Sequence, residues 1–232
     1  TDEVWMADER IESVVKHIIS IHDSKTRNKE YTAILTVQSI DMLVKYYDAF
    51  KNVNSNLKIA GIYTFGANEE SKGIDSEHSR DSLERIMKDY NITFGTNYST
   101  DTFKNYFSDV SKNVKKAQID ILLVVDMFLT GFDSKTLNTL YVDRNLQYHG
   151  LIQAYSRTNR VEKDTKPYGN IVCYRNLKEQ TDKAIQLFSN EENTDVVLML
   201  SYDKYIEQFQ KRFEELQSIA PSPEEVDELE SE

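Results

Sequence analysis

One stretch of this chain, IDILLVV (119–125), is apolar at nearly every position rather than at every second one, and YTAILTV (31–37) and LNTLYVD (137–143) are further β-rich strand candidates. A strand that faces water on one side alternates apolar and polar residues. A short strand that is apolar throughout has both faces covered. Such strands belong to parallel sheets, whose crossover connections need a dozen or more residues and are usually helical. LKIAGIYTF (57–65) and YGNIVCYR (168–175) read as two further strands.

The intervening segments supply helices. Residues 4–22 carry Ile11, Val14, Val15, Ile18 and Ile19 at helical spacing, and Ser39 stands where a cap would open SIDMLVKYYDAFKN. RDSLERIMKDY places Leu83, Ile86, Met87 and Tyr90 on one face, and residues 100–116 give another helix. Tyr98, Phe103, Tyr106 and Phe107 have the spacing of core packing rather than of a base-stacking platform. The polar, Gly-bearing stretch 66–79 reads as a mobile loop. Alternation of strands and helices predicts an α/β fold: a parallel sheet in three layers, with helices on both faces. Beyond Asn176 no strand signal returns. The chain therefore reads as one α/β domain over 1–176 and a helical extension with an acidic tail over 177–232.

Charge and cysteine content narrow the function. There are 39 acids against 28 Lys and Arg, a net charge of −11. The last twelve residues, PSPEEVDELESE, account for −6 of it. This balance argues against a nonspecific nucleic-acid binder, while leaving room for a local basic footprint. The one cysteine, Cys173, sits in an apolar run and reads as a small buried hydrophobe. A chain with no disulfide framework suits the reducing cytoplasm. No run approaches the ~20 apolar residues of a membrane helix, and no secretion leader opens the chain. Thr1 in place of Met points to a piece of a longer protein.

Several chemistries are missing. None of the seven glycines precedes a lysine, so there is no nucleotide-binding P-loop. LLVVD ends a strand in Asp126, but Met127 follows where a second magnesium-holding acid would be useful. The four histidines have no metal-ligand spacing with Cys173, and no metal site is expected. No nucleophile elbow is present.

Two segments carry chemistry instead. In QAYSRTNR (153–160), Gln153, Arg157 and Arg160 fall within roughly 60° on a helical wheel, while Tyr148, Leu151, Tyr155 and Thr158 turn to the other side. Paired guanidiniums suit phosphoryl oxygens, because the planar fork binds them bidentately and stays charged. The plainer alternative is a surface helix whose arginines meet acids of the same chain. The second segment, DMFLTGFDSKTL (126–137), follows the apolar strand at its carboxyl end, where open α/β sheets bind ligands. Gly131 would allow close backbone approach. Asp133 could accept from ribose hydroxyls, and Thr130 offers a hydroxyl and an N–H to a phosphate. The alternative here is the start of a helix capped by Asp133 or Ser134.

Together, TGFD and, about twenty residues on, QAYSRTNR resemble motifs V and VI of superfamily 2 helicases. YHGLIQAYSRTNRV followed by KPYGNIVCYRNL is more closely similar to the motor (R) subunit of type I restriction enzymes. The similarity is strongest over 119–177 and extends more weakly to YTAILTVQSIDMLVKYY, the motif IV region. Ser156 stands where the wider superfamily often has glycine, and the R-subunit pattern accommodates it.

The resemblance implies the second of two RecA-like domains that clamp ATP and Mg2+ between them. The first domain would hold the P-loop and the magnesium acids, with a nuclease domain further upstream. It implies that Arg157 and Arg160 face the triphosphate and that Gln153 orients them. Gly131 and Asp133 would contact the nucleotide, while Thr130, Gln38 and Ser39 lie near a DNA backbone. The whole subunit would translocate double-stranded DNA and cut it, in complex with methylation and specificity subunits. Two other readings stay open: another superfamily 2 motor, and a non-catalytic interaction module that keeps the fold. A P-loop upstream of Thr1 would favour a motor over the module.

Overall fold

A computed structural model describes residues 2–53, 55–64, 74–129, 131–159, 166, 168–189 and 202–219. The chain falls into two compact units, Thr1–Ala184 and Ile185–Glu232.

The first unit is built on five parallel strands: β1 (Thr32–Val37), β2 (Ile59–Ile62), β3 (Ile121–Val124), β4 (Leu137–Asp143) and β5 (Asn170–Cys173). Their order across the sheet is β2-β3-β1-β4-β5, with β1 paired to β3 on one side and β4 on the other. Every residue of β1, β3 and β4 is buried. Successive side chains of a strand point to opposite faces, so both faces of the central sheet are covered. This is the parallel α/β architecture expected from the apolar runs, and the RecA-like one that the resemblance implies.

The helices are α1 (Asp2–Trp5), α2 (Asp8–Lys25), α3 (Ile40–Asn52), α4 (Ile74–Phe94), α5 (Phe103–Lys115), α6 (Tyr148–Ser156), α7 (Lys178–Ser189) and α8 (Tyr202–Ile219). Ile11, Val15 and Ile18 of α2 are buried, as are Met42, Leu43, Tyr46 and Phe50 of α3. The predicted stripe of Leu83, Ile86, Met87 and Tyr90 is buried on α4. Ser39 caps α3, its hydroxyl accepting from the Met42 N–H at 3.2 Å. Tyr106 is fully buried and donates to the Gly61 carbonyl at 2.8 Å, with Tyr98 and Phe103 ring-packed around it. Phe107 is the exception: 38% exposed, it rests on Phe128.

Four expectations are corrected. The helix read over 4–22 is two, α1 and α2, with Met6 and Ala7 between them. Residues 74–79 are the first turns of α4 rather than loop, and residues 65–73 lie outside the described region. Strands and helices do not alternate throughout, because no helix links β3 to β4. The connection crosses the end of β1 as a loop that buries Phe128, Leu129 and Phe132 in place of a helix face. Cys173 is exposed: β5 is an edge strand whose residues alternate between half-buried and exposed, and the cysteine falls on the exposed set.

In the second unit, α8 stacks Phe209 on Phe213 at 5.8 Å between ring centroids. The acidic tail lies outside the described residues. No helix among those described is long and apolar enough to cross a membrane.

Candidate functional site

The carboxyl ends of β1, β3 and β4 lie side by side, and the chain leaves them in different directions. After β1 it runs to β2, at one edge of the sheet. After β4 it runs to β5, at the other. Neighbouring strands whose connections diverge in this way leave a crevice beyond their tips.

The β3–β4 loop forms one wall. Its backbone bends through left-handed conformations at Asp126 (φ 55°), Phe128 (φ 63°) and Gly131 (φ 68°). Such angles cost a non-glycine residue about 1 kcal/mol or more. Asp tolerates them better than most. For Phe128 the burial of a ring, 4.6 Å from that of Phe132, offsets the cost. Gly131 needs no such compensation, and a Cβ built on it would meet nothing within 4 Å. Gly131 and Asp133 are both exposed at the crest, while Phe132 between them is anchored.

The α6 helix forms the other wall. Leu151 and Ala154 are fully buried in the hydrophobic core, and Gln153 is exposed. The helix ends sooner than the wheel of residues 153–160 assumed. Arg157 is its C-cap. Beyond that point the backbone tightens into i→i+3 bonds, from Arg157 N–H to Ala154 O, Thr158 N–H to Tyr155 O and Asn159 N–H to Ser156 O, each 3.2 Å. Side chains also take up the last carbonyls: Ser156 Oγ and Arg157 Nε donate to Gln153 O, and Thr158 Oγ1 to Tyr155 O. Thr158 is buried, packed so closely on Gly169 that any Cβ there would collide with it.

The two walls are joined by Arg157. Its Nη1 donates to the carbonyl of Phe132 at 2.6 Å, and its Nη2 reaches Ser156 Oγ at 3.1 Å. All of its partners are uncharged. The guanidinium is therefore seated on the β3–β4 loop with its charge unopposed at contact distance among the described residues. Of the other candidates, Gln38 accepts from the Asn145 N–H at 3.1 Å, tying the tip of β1 to that of β4. Ser39 is the α3 cap. Thr130 and Arg160 lie outside the described residues.

Sequence reading missed the groups that fix the β4 tip. Asp143, fully buried, accepts from Arg10 (Nη1 at 2.7 Å, Nη2 at 2.8 Å), from Arg175 Nε at 2.8 Å and from the Tyr46 hydroxyl at 2.5 Å. The Trp5 ring lies 3.7 Å from the Arg175 guanidinium carbon and 4.6 Å from that of Arg10. Burial, together with the Asp143 carboxylate, pushes the Tyr46 hydroxyl well above its ordinary range, so it stays a donor. Hydrogen bonding to Asp143 likewise holds Arg10 in its charged form. The contributors lie on α1, α2, α3, β4 and the turn after β5, too far apart in sequence for any motif to show them.

The family described as "Type I restriction enzyme subunit R domain 3" matches residues 29–176. The chain is 55% identical over 241 residues to the endonuclease subunit of a type I restriction enzyme from Staphylococcus aureus (strain COL), covering 100% of the chain and 26% of that subunit. It is 57% identical over 242 residues to the corresponding Staphylococcus saprophyticus subunit, again covering 100% of the chain and 26% of the relative. The chain thus spans about a quarter of the length of these relatives. Among solved structures, the second helicase domain of the DEAD-box protein Mss116p is similar with a TM-score of 0.46 and 16% identity, over 79% of this chain and 57% of that one. The chain belongs to the type I restriction enzyme R-subunit family, as its domain 3.

Proposed function

We propose that this chain is the second RecA-like domain of an ATP-dependent double-stranded DNA translocase and endonuclease subunit. It supplies arginine fingers and backbone contacts to a site whose P-loop and magnesium acids stand on another domain. In the cytoplasm it works within a complex of methylation and specificity subunits. The observation that carries this reading is the seating of Arg157. Its guanidinium is fixed on the Phe132 carbonyl at the strand tips, beside Gly131 and Asp133, with no carboxylate in contact among the described residues. An arginine held by neutral groups keeps its charge for an incoming anion. Placed against a γ-phosphate, it stabilises charge as it develops in the transition state.

Arg160 is the second finger, Gln153 orients the pair, and Gly131 and Asp133 meet the nucleotide. Thr130, Gln38 and Ser39 face the DNA backbone. Mg2+, held by acids of the other domain, would offset the negative charge of the phosphates. Closure of the two domains on ATP and their release after hydrolysis moves the DNA contacts, which ride on the same rigid sheet.

Arg157→Ala in the full-length subunit tests this. DNA-stimulated ATP hydrolysis and translocation should fall by about 10³-fold or more, the range of arginine fingers, with duplex binding retained. Near-normal hydrolysis would refute the role.

A further inference from the structure

Arg144, at the tip of β4, is held differently from the other arginines at this end of the sheet. Arg10, Arg157 and Arg175 each donate to carboxylates or carbonyls. The side chain of Arg144 is only 12% exposed, yet its Nε and Nη1 are buried and form no hydrogen bond among the described residues. Its neighbour is Asp126, whose Oδ1 lies 2.6 Å from Nη1 as an ion pair without hydrogen-bond alignment. The pair is lopsided. The guanidinium is desolvated, while the Asp126 side chain is 74% exposed, on a backbone turned left-handed at the β3 tip.

Buried donors without acceptors are uncommon, because each carries the desolvation cost of its lost water. A solvated carboxylate on a loop is a weak, screened partner for them. The tip of β4 itself is rigid. Asp143, the preceding residue, is clamped by Arg10, Arg175 and Tyr46, and the following N–H, that of Asn145, is bonded to Gln38. The guanidinium is thus held between the tips of β4 and β3, against Asp126, with Nε and Nη1 lacking hydrogen bonds among the described residues. A planar fork in that state fits phosphoryl oxygens.

We propose that Arg144 is a further phosphate-binding residue of this domain, with Asp126 a displaceable stand-in for the phosphate. The inference rests on the motor reading above and extends it to a residue outside the two motifs. A phosphate at this point comes either from the nucleotide or from the DNA backbone, and the experiment distinguishes them.

In the full-length subunit, R144M, R144K and D126N are compared with wild type for two affinities. One is for a fluorescent duplex over a range of salt, the other for a fluorescent ATP analogue. R144M should weaken one of them by about tenfold or more. If duplex binding is lost and the slope of its logarithm against log salt falls by about one, the DNA backbone is the ligand. If only nucleotide affinity falls, the ligand is the triphosphate. D126N should leave binding unchanged or tighter, since it removes a competitor. If R144M lowers the melting midpoint, the milder R144K decides: about threefold weakening supports a forked contact, and none refutes it. The proposal is overturned if R144M binds both ligands within about threefold of wild type, or if D126N weakens binding as much as R144M. A wild-type subunit that binds neither ligand would refute the motor reading along with it. A wild type that binds both, beside an R144M that matches it, would refute only the role of Arg144.

Discussion

At the scale of single residues, Asp143, the last residue of β4, is spent on architecture, while Arg144, the first beyond the strand, is the residue proposed to meet a ligand. Asp143 faces two guanidiniums and one hydroxyl in a fully buried setting. A carboxylate there costs desolvation that only good geometry recovers, and removing one partner of such a group exposes the whole deficit. Asp143→Asn keeps the shape but removes the charge, leaving Arg10 and Arg175 without their shared carboxylate. The expected loss is about 3–5 kcal/mol of unfolding free energy, read from urea denaturation of the variant against wild type. A loss under about 1 kcal/mol would show that the cluster is not the clasp the geometry describes. None of this could be read from sequence. LNTLYVD announces a strand ending in an acid, but Arg10 lies 133 positions away and Arg175 lies 32 away.

At the scale of elements, what could be read depended on how local its cause was. β4 runs from Leu137 to Asp143, the bounds of the strand read in LNTLYVD, and every residue in it is buried. The inward faces of α4 and α6 follow from a period of 3.6. The end of α6 did not follow, because no glycine or proline marks it. Ser156 and Thr158 mark it instead, by returning their hydroxyls to carbonyls three residues back, a competition with the helix that Ser and Thr carry in any sequence. The same turn is locked from outside by Gly169, just before β5, whose missing Cβ leaves room for Thr158. Gly169→Ala should therefore destabilise the domain by about 1–3 kcal/mol through overpacking. Thr158→Ala should recover part of that loss in the double variant, because the two changes share one contact. Purely additive losses in a denaturant-based double-mutant cycle would show that the contact is not the cause.

At the scale of the whole molecule, the sheet gathers the described residues of TGFD and QAYSRTNR at one end, where they offer the Arg157 guanidinium, the Phe132 carbonyl and the exposed Asp133 carboxylate. Charge that develops on a transferred phosphoryl group also needs metal and a P-loop lysine, and no glycine of this chain precedes a lysine. On the proposed function this is the chemistry of half a cleft, and the chain spans about a quarter of its relatives' length. Binding energy for a triphosphate comes mostly from the groups that cradle its phosphates. An arginine or two on an open surface, screened by solvent, cannot replace them. Isolated, the 232-residue chain should bind ATP weakly or not at all by titration calorimetry, with or without Mg2+. In the full-length subunit, the same domain should add to ATP affinity and control turnover. Submicromolar affinity in the isolated chain would mean that the domain carries a nucleotide site of its own, and the shared-cleft reading would be wrong.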